Sequence, residues 1–94
     1  MTVKIFIKRS VMQEHEIELS ILLKKMRSLT LLQPGYISGQ TLRRIDRDDE
    51  CIVISTWKTI EDWKRWSQSE QRMTVQNEID MLLGEDTDYS IYSE

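Results

Sequence analysis

Residues 51–57, Cys-Ile-Val-Ile-Ser-Thr-Trp, set three consecutive β-branched aliphatic side chains between a cysteine and a tryptophan. Uncharged β-branched residues favour an extended chain, and because successive side chains point to opposite faces, both faces of this segment are apolar. Such a strand has to be covered on its two sides. That requirement governs how the rest of the chain is read.

Upstream, residues 3–8 alternate, with Val3, Ile5 and Ile7 on one side and Lys4, Phe6 and Lys8 on the other, which predicts a first strand. Across residues 14–29, Leu19, Leu22, Met26 and Leu29 recur at three-and-four spacing, with Lys24, Lys25 and Arg27 between them, the pattern of an amphipathic helix. Gln33, Pro34 and Gly35 end it, since Pro34 has no amide proton to donate and Gly35 tolerates the positive φ of a turn. Residues 36–45 predict a second strand bent at Gly39, where a missing side chain permits a bulge, and Arg47, Asp48, Asp49 and Glu50 make a polar turn into the third strand. Thr59 is placed to cap a short helix bearing Ile60, Trp63 and Trp66, with Glu61 and Asp62 complementing its dipole. Ser69 caps a further helical piece whose stripe of Val75, Ile79 and Leu82 stops at Gly84. Residues 88–93 form a last strand, Tyr89 and Ile91 on one face and Tyr92 on the other.

The order β-α-β-β-α-β predicts a ferredoxin-like α+β fold, an antiparallel four-stranded sheet with its helices on one face. With 94 residues, one domain covering positions 1–94 is expected. Helices on one side leave the opposite sheet face uncovered, and that face carries Phe6, Tyr92 and half of the apolar third strand. An apolar patch of this kind calls for a partner, and back-to-back pairing of two identical sheets about a two-fold axis is the simplest closed arrangement, so a homodimer is expected.

Charge and composition narrow the partners. A net charge of −3 gives no overall attraction for phosphate backbones, and the basic residues Arg43, Arg44 and Arg47 are interleaved with Asp46, Asp48 and Asp49, so no nucleic-acid role is expected. No apolar stretch reaches the roughly 20 residues of a membrane span. A single cysteine, Cys51, offers no internal disulfide, and the first residues lack the basic head and long apolar run of a signal peptide; a cytoplasmic setting is expected. Neither a His/Cys/carboxylate cluster with metal-ligand spacing nor a glycine-rich phosphate loop is present in the sequence, so no cofactor or metal is expected.

The stretch Gln33-Pro34-Gly35-Tyr36-Ile37-Ser38-Gly39-Gln40-Thr41-Leu42, followed by Ile54-Ser55-Thr56-Trp57-Lys58-Thr59-Ile60-Glu61-Asp62-Trp63, resembles the antibiotic biosynthesis monooxygenase domain family. The resemblance implies a dimeric α+β barrel. It also implies cofactor-independent monooxygenase or quinol oxidase chemistry, in which a phenol or hydroquinone held between sheet and helices donates electrons directly to dioxygen. In the family, a tryptophan recurs at the position of Trp57, and an aromatic in the following helix corresponds to Trp63. Some members carry an asparagine where this chain has Val53. The haem-degrading branch keeps a tryptophan matching Trp66, but its axial histidine is replaced here by Gln76, a weak iron donor, so haem degradation is disfavoured.

Trp57 and Trp66 are accordingly the expected catalytic residues, with Trp63, Tyr36, Gln40, Arg43, Val53 and Gln76 expected to bind the substrate. Indoles supply stacking area and one donor each, and an arginine stabilises a phenolate through its charge. His15, the one histidine, stands among Glu14, Glu16 and Glu18, which suits a solvated side chain better than a general base. A non-catalytic ligand-binding or dimerisation module of the same fold is the alternative.

Overall fold

The computed structural model describes residues 1–47 and 49–94, so Asp48 of the expected polar turn lies outside the described residues. Among them, four strands and three α-helices run in the order β1 (Val3–Ser10), α1 (Glu16–Thr30), β2 (Tyr36–Arg43), β3 (Glu50–Trp57), α2 (Ile60–Ser67), α3 (Glu70–Leu83) and β4 (Asp88–Ser93). A 3-10 turn at Gln13–His15 leads into α1, so the regular helix starts later than the apolar spacing implied. The sheet is antiparallel with order β2-β3-β1-β4, the ferredoxin-like α+β arrangement.

Register assigns the faces. Ile5 stands opposite Ser55 and Ile91, and Ile7 opposite Val53 and Tyr89, so these side chains share the face that carries the helices. Phe6 stands opposite Ile54 and Ser90 on the other face, where its ring meets Tyr92 edge-on at 5.1 Å. The core lies between sheet and helices: Val3, Ile5, Ile7, Leu19, Met26, Trp57, Trp63, Trp66, Val75 and Ile79 are all buried there.

Local chemistry explains the joints. Tyr36 N–H donates to Gln33 O at 3.3 Å across Pro34 and Gly35, with Gly35 at φ +84, the pattern of a type II turn. A Cβ at Gly35 would fall 2.2 Å from Asp62 Oδ2, so this turn seats the first turn of α2 directly. Thr59 Oγ1 accepts from Asp62 N–H at 3.2 Å and Ser69 Oγ from Arg72 N–H at 3.2 Å, which are the two expected caps. Gly84 ends α3 in the left-handed region at φ +69. The irregularity in β2 lies between Tyr36 and Ser38 rather than at Gly39. Gly39 serves another purpose, because a Cβ there would sit 2.4 Å from the Tyr36 hydroxyl. No helix of the described residues is long and apolar enough to cross a membrane.

Candidate functional site

A cavity of about 390 Å³ lies between α1 and the β2–β3 half of the sheet. It exists because α1 packs chiefly on α3, which leaves it standing off β2. Leu19, Leu23 and Met26 of α1 face Ile7, Val53 and Trp57 of the sheet across it, while Trp63, Trp66 and Arg72 close it from α2 and α3.

Trp57 forms its floor. The ring is fully buried, its Nε1–H donates to Ser55 Oγ at 3.1 Å, and its edges meet Tyr36 at 5.3 Å and Trp63 at 5.9 Å. A single indole donor already engaged by the protein is not free for a ligand. Trp57 therefore gives the cavity its shape from beneath rather than a hydrogen bond. Trp63 continues the aromatic wall to Tyr89, 6.0 Å away, and the Arg72 guanidinium lies 5.1 Å from the Trp63 ring centre. This is the cation–π arrangement, which fixes the arginine against the wall.

Of the residues expected to bind substrate, Tyr36, Gln40, Arg43, Val53 and Trp63 border the cavity, as do the expected catalytic pair Trp57 and Trp66. Gln40 stands opposite Ile54, so it belongs to the outer-face series of β2 while bordering the cavity beside Gly39. Arg43 is ion-paired with Glu16, joining β2 to the first turn of α1. Arg44 pairs instead with Asp46 at 2.7 Å and Arg47 with Asp49 at 2.9 Å, the surface pairing that interleaved charges imply. Those pairs hold the Asp46 and Asp49 carboxyls below the usual range through direct hydrogen bonds from arginine. Cys51 borders the cavity half-buried, and burial pushes its thiol up, so the neutral form is favoured.

Gln76 does not border the cavity; it stands behind it. Its Oε1 accepts from Arg9 Nη2 at 3.0 Å and from Tyr89 Oη at 3.2 Å, while its Nε2 donates to Asp80 Oδ1 at 2.9 Å and to Thr87 Oγ1 at 2.6 Å. Asp80 accepts only, so it draws the amide nitrogen and turns the carbonyl oxygen toward Arg9. Both ends of Gln76 are engaged within the protein.

Arg9 and Arg72 also border the cavity, beyond the residues that the sequence points to. Both are buried, with exposures of 3% and 4%. Burial lowers the Arg9 guanidinium from its ordinary value, yet an arginine starts so high that it stays charged. Each was marked by spacing. Arg9 continues the inward series Val3, Ile5, Ile7, and Arg72 begins the stripe Arg72, Val75, Gln76, Ile79 at helical intervals.

Comparison with known proteins places this architecture. The chain matches a conserved protein from Methanosarcina mazei Go1 with TM-score 0.92 at 18% identity, covering 100% of this chain and 93% of that one. It matches SnoaB, a cofactor-independent oxygenase from Streptomyces nogalater, with TM-score 0.82 at 15% identity, covering 99% and 92%. Rv0793 from Mycobacterium tuberculosis gives TM-score 0.87 at 14% identity, covering 100% and 95%. At such identities the likeness is one of fold. No curated protein matches by sequence. The family model for antibiotic biosynthesis monooxygenase matches residues 2–78, and the chain belongs to that family.

Proposed function

We propose that the protein is a cofactor-independent oxygenase or quinol oxidase acting on a small phenol or hydroquinone bound in the cavity. The observation that carries this reading is the aromatic wall of Trp57, Trp63 and Trp66 around a space of about 390 Å³, within the size range of small-molecule sites. Flat ligands gain dispersion and stacking from Trp63 and Trp66, and the apolar residues of α1 exclude water from them. Arginine charge on the same wall favours the phenolate, the electron-rich form that dioxygen oxidises. A hydroquinone would pass two electrons and two protons to dioxygen, leaving quinone and hydrogen peroxide. In the oxygenase mode a phenol supplies all four electrons and becomes the quinone: one oxygen atom of dioxygen stays on the ring as the new carbonyl, and the other leaves as water with the two hydrogens the phenol loses.

Oxygen uptake with a panel of hydroquinones and polyphenols tests the reading. The expected outcome is uptake that falls at least about tenfold in a Trp57→Phe, Trp66→Phe double variant, the scale of a lost positioning contribution. Uptake no greater in the wild type than in that variant removes the enzymatic reading. A second reading, a ligand-binding module without turnover, is favoured by one observation: the indole N–H of Trp57 is already held by Ser55, and the neighbouring wall position is the apolar Val53. Under that reading a bound hydroquinone quenches tryptophan fluorescence and is recovered unchanged.

A further inference from the structure

Among the described residues, two buried cations have no anion paired with them. Arg9 Nη2 donates to Gln76 Oε1 at 3.0 Å and Arg72 Nη2 to Tyr89 Oη at 2.9 Å, both neutral acceptors. Tyr89 in turn donates to Gln76 at 3.2 Å, so the two guanidiniums are the ends of one short polar chain. Among the described residues, neither arginine takes part in an ion pair. The one acid that joins this short polar chain, among the described residues, is Asp80, whose Oδ1 is shared by Gln76 and Thr87. Among the described residues, Arg9 Nε is buried with no hydrogen-bond partner.

A buried charge left unpaired is costly, and folding ordinarily supplies it with a counter-ion. Here two buried cations face a cavity whose apolar wall has room for a ligand, and the missing negative charge is a property that the ligand can supply. We propose that the cavity recognises an aromatic carboxylic acid, with its carboxylate against Arg9 and Arg72 and its ring on Trp63 and Trp66. A guanidinium is a planar fork matched to the two oxygens of a carboxylate. Gln76 and Tyr89 hold the forks in place, and the stack of Arg72 on Trp63 aligns charge and ring on the same wall. This rests on the cavity being a ligand site, as above, but not on turnover.

The test uses two ligands of one shape, 2-naphthoate and its neutral analogue 2-naphthamide, titrated into the full chain at pH 7 with calorimetry and tryptophan fluorescence. Naphthoate is expected to bind about tenfold or more tightly than naphthamide, the worth of charge-assisted hydrogen bonds. Arg9→Gln and Arg72→Gln, each checked for folding by circular dichroism, are expected to bring that ratio below about threefold. Should Arg9→Gln fail to fold, Arg72→Gln carries the comparison. Equal affinity for the two ligands, or a ratio unchanged in the folded variants, overturns the anion site and leaves the cavity reading standing. Binding of neither ligand to the wild type overturns both. A preserved naphthoate preference without oxygen uptake supports the anion site and tells only against the oxygenase chemistry.

Discussion

Cys51 borders the cavity, and burial raises its thiol above the ordinary value, with Arg9 and Arg43 opposing that shift only in part. The thiolate is the reactive form, so the rate of alkylation by iodoacetamide should rise with pH later than that of free cysteine. Mass spectrometry of the single thiol across pH 7 to 10 would show the displaced curve, and a bound cavity ligand should slow the reaction further at every pH. A rate equal to free cysteine would mean that the wall opens at this point. At the residue scale the aromatic lining was legible in the sequence, because Trp57, Trp63 and Trp66 fall on inward positions of a strand and a helix. Arg9 was equally legible by its phase after Val3, Ile5 and Ile7, but charge at an inward position reads as the end of a buried run. Only the three-dimensional arrangement brings Arg72, Tyr89 and Gln76 beside it, since helix-face spacing does not reveal which strand residue it will meet.

At the scale of elements, α2 matters most, since it carries Trp63 and Trp66 to the cavity. It is a helix of 8 residues, too short to persist without tertiary contacts and a sound start. Thr59 Oγ1 accepts from Asp62 N–H and donates to Asp62 Oδ2 at 2.9 Å, a reciprocal cap at its beginning. Thr59→Ala is expected to cost about 1 kcal/mol in a urea denaturation series, while Thr59→Ser stays within about 0.5 kcal/mol of the wild type. An alanine variant as stable as the wild type would show that packing of Trp63 and Trp66 alone secures the helix. The element order was readable because each element announces its own period and its own end, as at Gly35 and Gly84. Boundaries were less so: the chain enters α1 through a 3-10 turn, and β2 stops at Arg43 rather than running to Ile45. There Arg44 turns away to pair with Asp46 and Glu50, contacts that no strand periodicity encodes.

For the whole molecule the unanswered surface is the outer face of the sheet. Phe6, Leu42, Ile52, Ile54 and Tyr92 lie there by register, with Leu42 and Tyr92 exposed and Phe6, Ile52 and Ile54 only half-buried. Four strands at about 4.8 Å spacing, about eight residues long, present a face of about 19 by 26 Å. In projection that is roughly 500 Å², of the same order as the roughly 800 Å² of accessible surface per partner that a specific interface buries. A second copy of this chain has the same patch and can cover it about a two-fold axis, which also meets the demand of a β3 strand apolar on both sides. Sedimentation equilibrium at micromolar concentration is expected to give a dimer. Ile54→Glu should then give a folded monomer, because each protomer would bury an unpaired carboxylate at the centre of the contact, a penalty of about 3 kcal/mol or more. The cavity lies on the opposite side of the sheet, so the monomeric variant should still bind naphthoate if the site is built within one chain. A wild-type monomer at these concentrations would instead mean that the half-buried aliphatic residues of β3 are shielded well enough by Lys4, Lys8 and Thr56 beside them.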